Sequence, residues 1–128
     1  MTDPDFQNLG ESLVPRSDTR IQLCGRLTVR IEGRRVEEAL PGRQGRLLFV
    51  YLAAHRLRPA SRSELMAALW PSRPPAAADT ALSALLTKLR GVVGASAIAG
   101  KHEVRLVLPA GAWVDLEATT EALHRATS

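Results

Sequence analysis

The stretch from Ser61 to Leu108 constrains the fold of this 128-residue chain most strongly. It opens with Ser-Arg-Ser-Glu, in which the Ser61 hydroxyl can accept a hydrogen bond from the backbone N–H of Glu64. The Glu64 carboxylate can in turn reach back to Ser61, which is the pattern of a helix capping box. Apolar residues at helical spacing follow, and Pro71 ends the run. This pattern predicts a short helix over Ser61–Trp70.

A second, longer helix is predicted over Ala76–Val93, after a stiff turn that contains three prolines. Pro75 can lead directly into this helix, and Asp79 in its first turn lies at the positive end of the helix dipole. Gly94 can end the helix. The predicted buried stripe of this helix has spacings of four, three and four and consists of Leu82, Leu86, Leu89 and Val93.

A hairpin is predicted after the second helix. Ala97–Ala99 and His102–Leu108 flank Gly100-Lys101, which is a turn signal, and apolar and polar residues alternate in the second arm. A short helix, a turn, a longer helix and a hairpin form the layout of a winged helix-turn-helix. In that layout the longer helix enters a DNA major groove.

A small antiparallel sheet is predicted before the helices. Apolar residues occupy odd positions from Ile21 to Ile31, with a break at Cys24-Gly25, and Arg35–Leu40 can return as a second strand. Arg43–His55 then has helical spacing. The predicted fold is therefore α+β: a winged helix-turn-helix with an N-terminal antiparallel sheet, three helices and a C-terminal β-hairpin wing.

The domain organisation follows from these patterns. Residues 1–19 are polar and acidic without an apolar period and are predicted to form a disordered N-terminal tail. Residues 20–110 form the predicted DNA-binding domain. Residues 111–128, with a weak helical pattern over Leu116–Ala126, are predicted as a helical extension or the start of a further domain.

The formal net charge of +4 is unevenly distributed. Basic residues are concentrated between positions 16 and 105, and both ends are acidic, which fits a polyanionic partner. Arginine enrichment in a GC-rich genome would give the same balance. Cys24 is the single cysteine, which excludes an internal disulfide and fits a reducing compartment. No apolar run approaches the roughly 18 residues of a membrane span, and the polar N-terminus is unlike a secretory signal. We expect a cytoplasmic, nucleoid-associated protein that does not bind membranes.

The sequence contains no pattern that predicts a catalytic or metal-binding site. The three histidines and one cysteine lack metal-ligand spacing, and no phosphate-binding glycine loop or nucleophile motif is present. We therefore expect no enzymatic activity, no cofactor and no metal.

The exposed face of the longer helix carries the functional argument. If the leucine stripe faces inward, small and polar residues point outward, where they can approach base edges and phosphates closely. Leu85 is partly outward and could touch a thymine methyl, pack on the wing or meet a partner protein. The alternative interpretation of this face is an ordinary solvated surface. The outward set is Thr80, Ser83, Ala84, Thr87 and Lys88, flanked by Arg90 and Gly91.

Four segments, in this order and spacing, resemble the winged-helix domain of SARP-type transcriptional regulators of actinobacteria, a relative of the OmpR-type response-regulator domain. The resemblance covers about residues 20–116, and the closing VDLEATTEAL resembles the junction that leads into a helical transcriptional activation domain. The four segments are LCGRLTVRIEGRRV, GRQGRLLFVYLAAHR, SRSELMAALWPSRPP and TALSALLTKLRGVVG.

The resemblance implies that the third helix reads the major groove and that the wing contacts the backbone or the minor groove. Arg62 and Trp70 would contact phosphates. The chain departs from the family pattern in the wing, which lacks a tyrosine and carries Glu103. The DNA-contact set implied by the resemblance and the outward face is Arg62, Trp70, Thr80, Ser83, Thr87, Lys88, Arg90, Lys101 and Arg105.

These observations predict a sequence-specific DNA-binding transcriptional regulator, specifically an activator. The family implies double-stranded DNA with tandem repeats as the target, and a protein that is monomeric in solution and forms a side-by-side dimer on DNA. RNA polymerase or a sigma factor is the further partner that it implies. The alternative is a winged-helix protein-interaction module that uses Leu85 and binds little DNA.

Overall fold

The computed structural model describes residues 18–117. Two small sheets and three complete α-helices lie in this part of the chain, and a further helix begins at Asp115. The strands are β1 (Arg20–Gln22), β2 (Thr28–Ile31), β3 (Arg34–Arg35), β4 (Ala60–Ser61), β5 (Ile98–Ala99), β6 (Glu103–Leu106) and β7 (Trp113–Val114). The α-helices are α1 (Gly42–Ala54), α2 (Arg62–Leu69) and α3 (Ala78–Val93), and short 3-10 turns cover Glu37–Ala39 and Ala95–Ala97.

The N-terminal sheet has the strand order β3-β2-β1-β7. The predicted break at Cys24-Gly25 reverses the chain, so that β1 and β2 pair antiparallel and Ile21 lies opposite Val29. Both residues are fully buried, because direct cross-strand partners share one face of the sheet. The alternating pattern therefore marks one buried face, which two strands share.

The predicted second strand over Arg35–Leu40 is wrong beyond its first residue. β3 covers Arg34–Arg35 only, and Glu37–Ala39 forms a 3-10 turn. The cause is a side-chain hydrogen bond: the backbone N–H of Val29 donates to Oε1 of Glu37 at 2.8 Å. The carboxylate thus occupies a donor that a longer strand would need for its ladder.

The three helices agree closely with the predicted ones. In α2 the Ser61 hydroxyl accepts a hydrogen bond from the backbone N–H of Glu64 at 3.1 Å, which confirms the predicted cap. Helix α3 begins at Ala78, two residues later than predicted, so Pro75 does not lead directly into it. Gly94, with a φ of 107°, ends α3 as predicted. The predicted stripe of α3 is buried throughout, at Leu82, Leu86, Leu89 and Val93.

The predicted wing is present and is anchored on both sides. β5 and β6 pair antiparallel, with Ile98 opposite Leu106. β6 also pairs antiparallel with β4, which leads directly into α2. The wing is therefore attached through β4 to the first residue of the helix-turn-helix.

Strand β7 returns to the N-terminal sheet and was not anticipated from the sequence. It pairs with β1 in parallel, with Val114 opposite Ile21. A helix starts at Asp115, and Glu117 in it accepts two hydrogen bonds from the Arg56 guanidinium, at 2.7 and 2.9 Å. Most of the predicted tail at 1–19 and of the predicted helix over Leu116–Ala126 lies outside the described residues, so the predicted division of the chain stays a prediction.

Two searches of the described residues gave negative results. None of the helices between residues 18 and 117 is long and apolar enough to cross a membrane. The same residues contain no group of three or more histidine, cysteine, aspartate or glutamate side chains that could hold a metal ion.

Candidate nucleic-acid interface

The outward face of α3 is polar and accessible. Its residues are exposed because the leucine stripe on the opposite side packs into the core. Lys88 makes no ion pair among the described residues. The Thr87 hydroxyl donates to the backbone carbonyl of Ser83 at 3.0 Å, so its proton is directed along the helix. The exposed members are Thr80, Ser83, Ala84, Thr87 and Lys88.

Leu85 is partly outward, as the helical spacing predicted, but it is not fully exposed. Its side chain is half-buried and packs against the hydrophobic core. The large apolar side chains that are exposed among residues 18–117 lie elsewhere: Leu47, Leu57, Val107 and Trp113. The interaction-module hypothesis, which also rested on the altered wing, therefore stays a prediction.

A groove of about 420 Å³ lies between α3 and the turn of the wing. It brings together five of the predicted contact residues. It adds Asp79, Gly100 and His102, to which the sequence analysis had given no contact role, and Leu86 of the buried stripe. The residues that line the groove are Arg62, Asp79, Ser83, Leu86, Thr87, Arg90, Gly100, Lys101 and His102.

Arg62 connects three elements at one end of this groove. Its Nε donates to Oδ1 of Asp79 at 2.7 Å, and its Nη2 donates to the Asp79 carbonyl at 2.9 Å and to the Ser83 hydroxyl at 2.7 Å. Its Nη1 donates to the carbonyl of Lys101 at 3.4 Å. The backbone N–H of Arg62, considered in the sequence analysis as an anion donor, donates instead to the carbonyl of His102 at 3.2 Å. A phosphate that binds Arg62 would compete with these acceptors.

Arg90 is turned toward the wing. Its Nε donates to the carbonyl of Ile98 at 3.3 Å, and its Nη2 donates to the carbonyl of Gly100 at 3.2 Å. The side chain is half-buried. In this arrangement Arg90 holds the hairpin against α3, and a change at this residue would affect the wing as well as any DNA contact.

Three other predicted residues differ in position. Lys101 is exposed at the groove. Arg105 is exposed but lines a separate hollow together with Leu57 and Val107. Trp70 is half-buried at the end of α2 and packs at the edge of the core, which was the alternative interpretation of this aromatic residue. Neither Arg105 nor Trp70 lines the groove.

Side chains in and just after α1 hydrogen-bond to the first turn of α2. The Glu64 carboxylate accepts hydrogen bonds from Arg58, at 3.0 and 2.6 Å, and from the Tyr51 hydroxyl. Arg58 first, then Tyr51 and the Ser61 backbone N–H, lower the pKa of Glu64 to about 2. The carboxylate therefore stays ionised, and it keeps the N-terminal end of α2 in place beside Arg62.

This arrangement of α2, α3 and hairpin, preceded by a sheet, defines a winged-helix fold. Comparison with solved structures finds EmbR of Mycobacterium tuberculosis, in complex with a low-affinity phosphopeptide, at a TM-score of 0.61 and 25% sequence identity. The likeness covers 73% of this chain and 26% of the EmbR chain, so this chain spans about a quarter of that protein. It supports a SARP-like fold. No protein family and no curated protein matches the sequence.

Proposed function

We propose that this chain is a sequence-specific DNA-binding domain of a transcriptional regulator. EmbR is a SARP-family regulator with a winged-helix DNA-binding domain, and the likeness to it supports a regulator-like role. The observation that carries the proposal is the polar outward face of α3, which lies beside a groove that contains Arg62, Arg90 and Lys101. Small polar residues on an exposed helix allow close approach to base edges, and the adjoining cations suit phosphates.

In the proposed mechanism α3 enters the major groove and reads bases. Ser83, Thr87 and Lys88 are the side chains that would meet base edges or adjacent phosphates. Lys101 at the tip of the wing would contact the backbone. The family resemblance adds that the protein activates transcription, binds tandem repeats side by side and contacts RNA polymerase or a sigma factor.

Selection of sites from random double-stranded DNA, followed by salt titration of the best site, tests the proposal. An enriched motif and a steep fall of affinity with salt are the expected results, because phosphate contacts release counterions. Absence of any enriched motif, together with salt-insensitive association, would contradict base reading by α3.

Replacing Lys88 with alanine is expected to weaken binding to the selected site by about 1–3 kcal/mol. Lys88 is exposed and has no ion pair among the described residues, so its removal leaves the fold intact. Arg34→Ala is the matched control, because it removes one positive charge from an exposed residue of β3, outside the groove. The measurement is a titration of labelled duplex with each variant. Equal affinities of the Lys88 and Arg34 variants would show that this face of α3 does not contact DNA.

A further inference from the structure

An ion pair occupies the end of the groove where Arg62 lies. The Asp79 carboxylate accepts from Nε of Arg62 at 2.7 Å, and the Asp79 side chain is 70% exposed whereas that of Arg62 is 20% exposed. The negative partner is thus the one that a ligand meets first. Ser83 and the carbonyls of Asp79 and Lys101 accept hydrogen bonds from three of the other four N–H groups of Arg62.

The partners of Arg62 resemble those that a phosphate would offer. A guanidinium presents several N–H donors in one plane, and it binds the oxygens of carboxylates and phosphates in the same way. Arg62 already has oxygen acceptors on Nε, Nη1 and Nη2. A DNA phosphate that approaches this end of the groove competes with the Asp79 carboxylate for Nε of Arg62, and the exposed carboxylate repels it during the approach.

We propose that Asp79 acts as an internal substitute for a DNA phosphate on Arg62, and so limits the affinity of this surface for the DNA backbone. The inference rests on the proposed function. Exchange of a carboxylate for a phosphate replaces one ionic contact by another, so Arg62 adds little net affinity while Asp79 is charged. Because the backbone is alike in every sequence, Asp79 weakens binding to all duplexes and leaves discrimination to the side chains of α3.

The test is a double-mutant cycle with Asp79→Asn and Arg62→Gln, read as affinity for the selected duplex and for a scrambled duplex over a range of salt. Asp79→Asn is expected to bind both duplexes roughly five- to tenfold more tightly at 0.1 M salt, with a salt slope steeper by about one, as for one added phosphate contact. Arg62→Gln alone is expected to weaken binding, but by less than Lys88→Ala does, because Asp79 already neutralises Arg62. In the double variant the gain is expected to disappear.

Two controls keep this result interpretable. Glu38→Gln removes one negative charge from an exposed residue outside the groove, and it is expected to leave the salt slope unchanged. Thermal unfolding of each variant checks the fold, because Arg62 also connects α2, α3 and the wing. If Arg62→Gln unfolds, Arg62→Met takes its place, since methionine keeps an unbranched side chain but has no charge and no N–H donor.

The outcomes separate this inference from the proposed function. If the parent binds DNA and Asp79→Asn behaves like Glu38→Gln, the inference is wrong and the proposed function stands. If the gain persists in the double variant, Asp79 acts by general repulsion and not through Arg62, which also overturns the inference. If neither the parent nor Asp79→Asn binds either duplex, both proposals are wrong.

Discussion

Replacement of Gly100 by alanine is expected to lower the free energy of unfolding by about 3 kcal/mol or more. Gly100 lies at the turn of the wing with a φ of 96°, in the left-handed region that favours glycine. A Cβ atom at this position would lie 1.8 Å from the backbone carbonyl oxygen of Glu103. No side-chain movement relieves an overlap with backbone, so the turn itself must shift.

Comparison with Gly94→Ala separates the cost of the backbone conformation from the cost of the steric overlap. Gly94 has a similar φ of 107°, but a Cβ there would meet nothing within 4 Å. Its replacement is therefore expected to cost only the conformational strain, roughly 1–2 kcal/mol. Urea unfolding of the two variants gives the comparison. Equal losses at the two positions would show that the turn at Gly100 accommodates a side chain.

The same substitution also tests the connection between the wing and α3. The carbonyl of Gly100 accepts a hydrogen bond from Arg90, and the neighbouring Lys101 carbonyl accepts one from Arg62. A displaced turn would loosen both arginines. The folded Gly100→Ala protein is consequently expected to bind the selected duplex more weakly than Gly94→Ala does.

The helices and the wing could be predicted from the sequence because their signals are local. The spacing of Leu82, Leu86 and Leu89 defines the buried stripe of α3 within three turns, and the cap at Ser61 depends on a residue three positions away. The hairpin is likewise predicted by a turn signal at Gly100 between two short segments, Ala97–Ala99 and His102–Leu108. In each case the residues that interact are close in the chain.

The details of the site could not be predicted, since they depend on contacts between distant residues. Asp79 was interpreted only through the helix dipole, whereas its main partner is Arg62 on another helix. Leu85 was placed partly outward by the helical wheel, which could not show that its side chain packs against the core. The parallel pairing of β7 with β1 joins residues more than 90 positions apart and leaves no periodic signal.

Substitution of Asp115 is expected to lower the stability of the fold strongly. Its carboxylate, which follows β7, accepts backbone hydrogen bonds from the residues that follow β1. Its Oδ1 accepts from the backbone N–H of Leu23 at 2.8 Å, and its Oδ2 accepts from that of Cys24 at 2.9 Å. These two amides lie where the chain leaves β1 and turns toward β2. Asp115→Ala removes both acceptors from a buried position and is expected to cost about 2–4 kcal/mol of unfolding free energy.

The pH dependence of unfolding follows from the same carboxylate. Burial raises the pKa of Asp115, but the N–H groups of Leu23, Cys24 and Leu116 outweigh burial and bring the pKa below its ordinary value. A carboxyl group with a lowered folded-state pKa stabilises the fold fully above its unfolded pKa of about 4, and this contribution is lost as the pH falls below that value. Urea unfolding between pH 5 and pH 3 is therefore expected to show a smaller loss of stability in Asp115→Ala than in the parent.

Asp18→Ala is the matched control for Asp115→Ala. Asp18 is also an aspartate next to the N-terminal sheet, but its partner is Arg30 at 3.1 Å and its side chain is 62% exposed. Exposed ion pairs contribute little, so its loss is expected to cost less than about 1 kcal/mol at neutral pH. If the two variants unfold at the same urea concentration, the amides of Leu23 and Cys24 find water or another acceptor, and the junction after β7 contributes nothing to the stability of the sheet. A separation of 2 kcal/mol or more, on the scale of hydrogen bonds to a charged group, would show that the residues after the wing stabilise the fold and do not merely follow it.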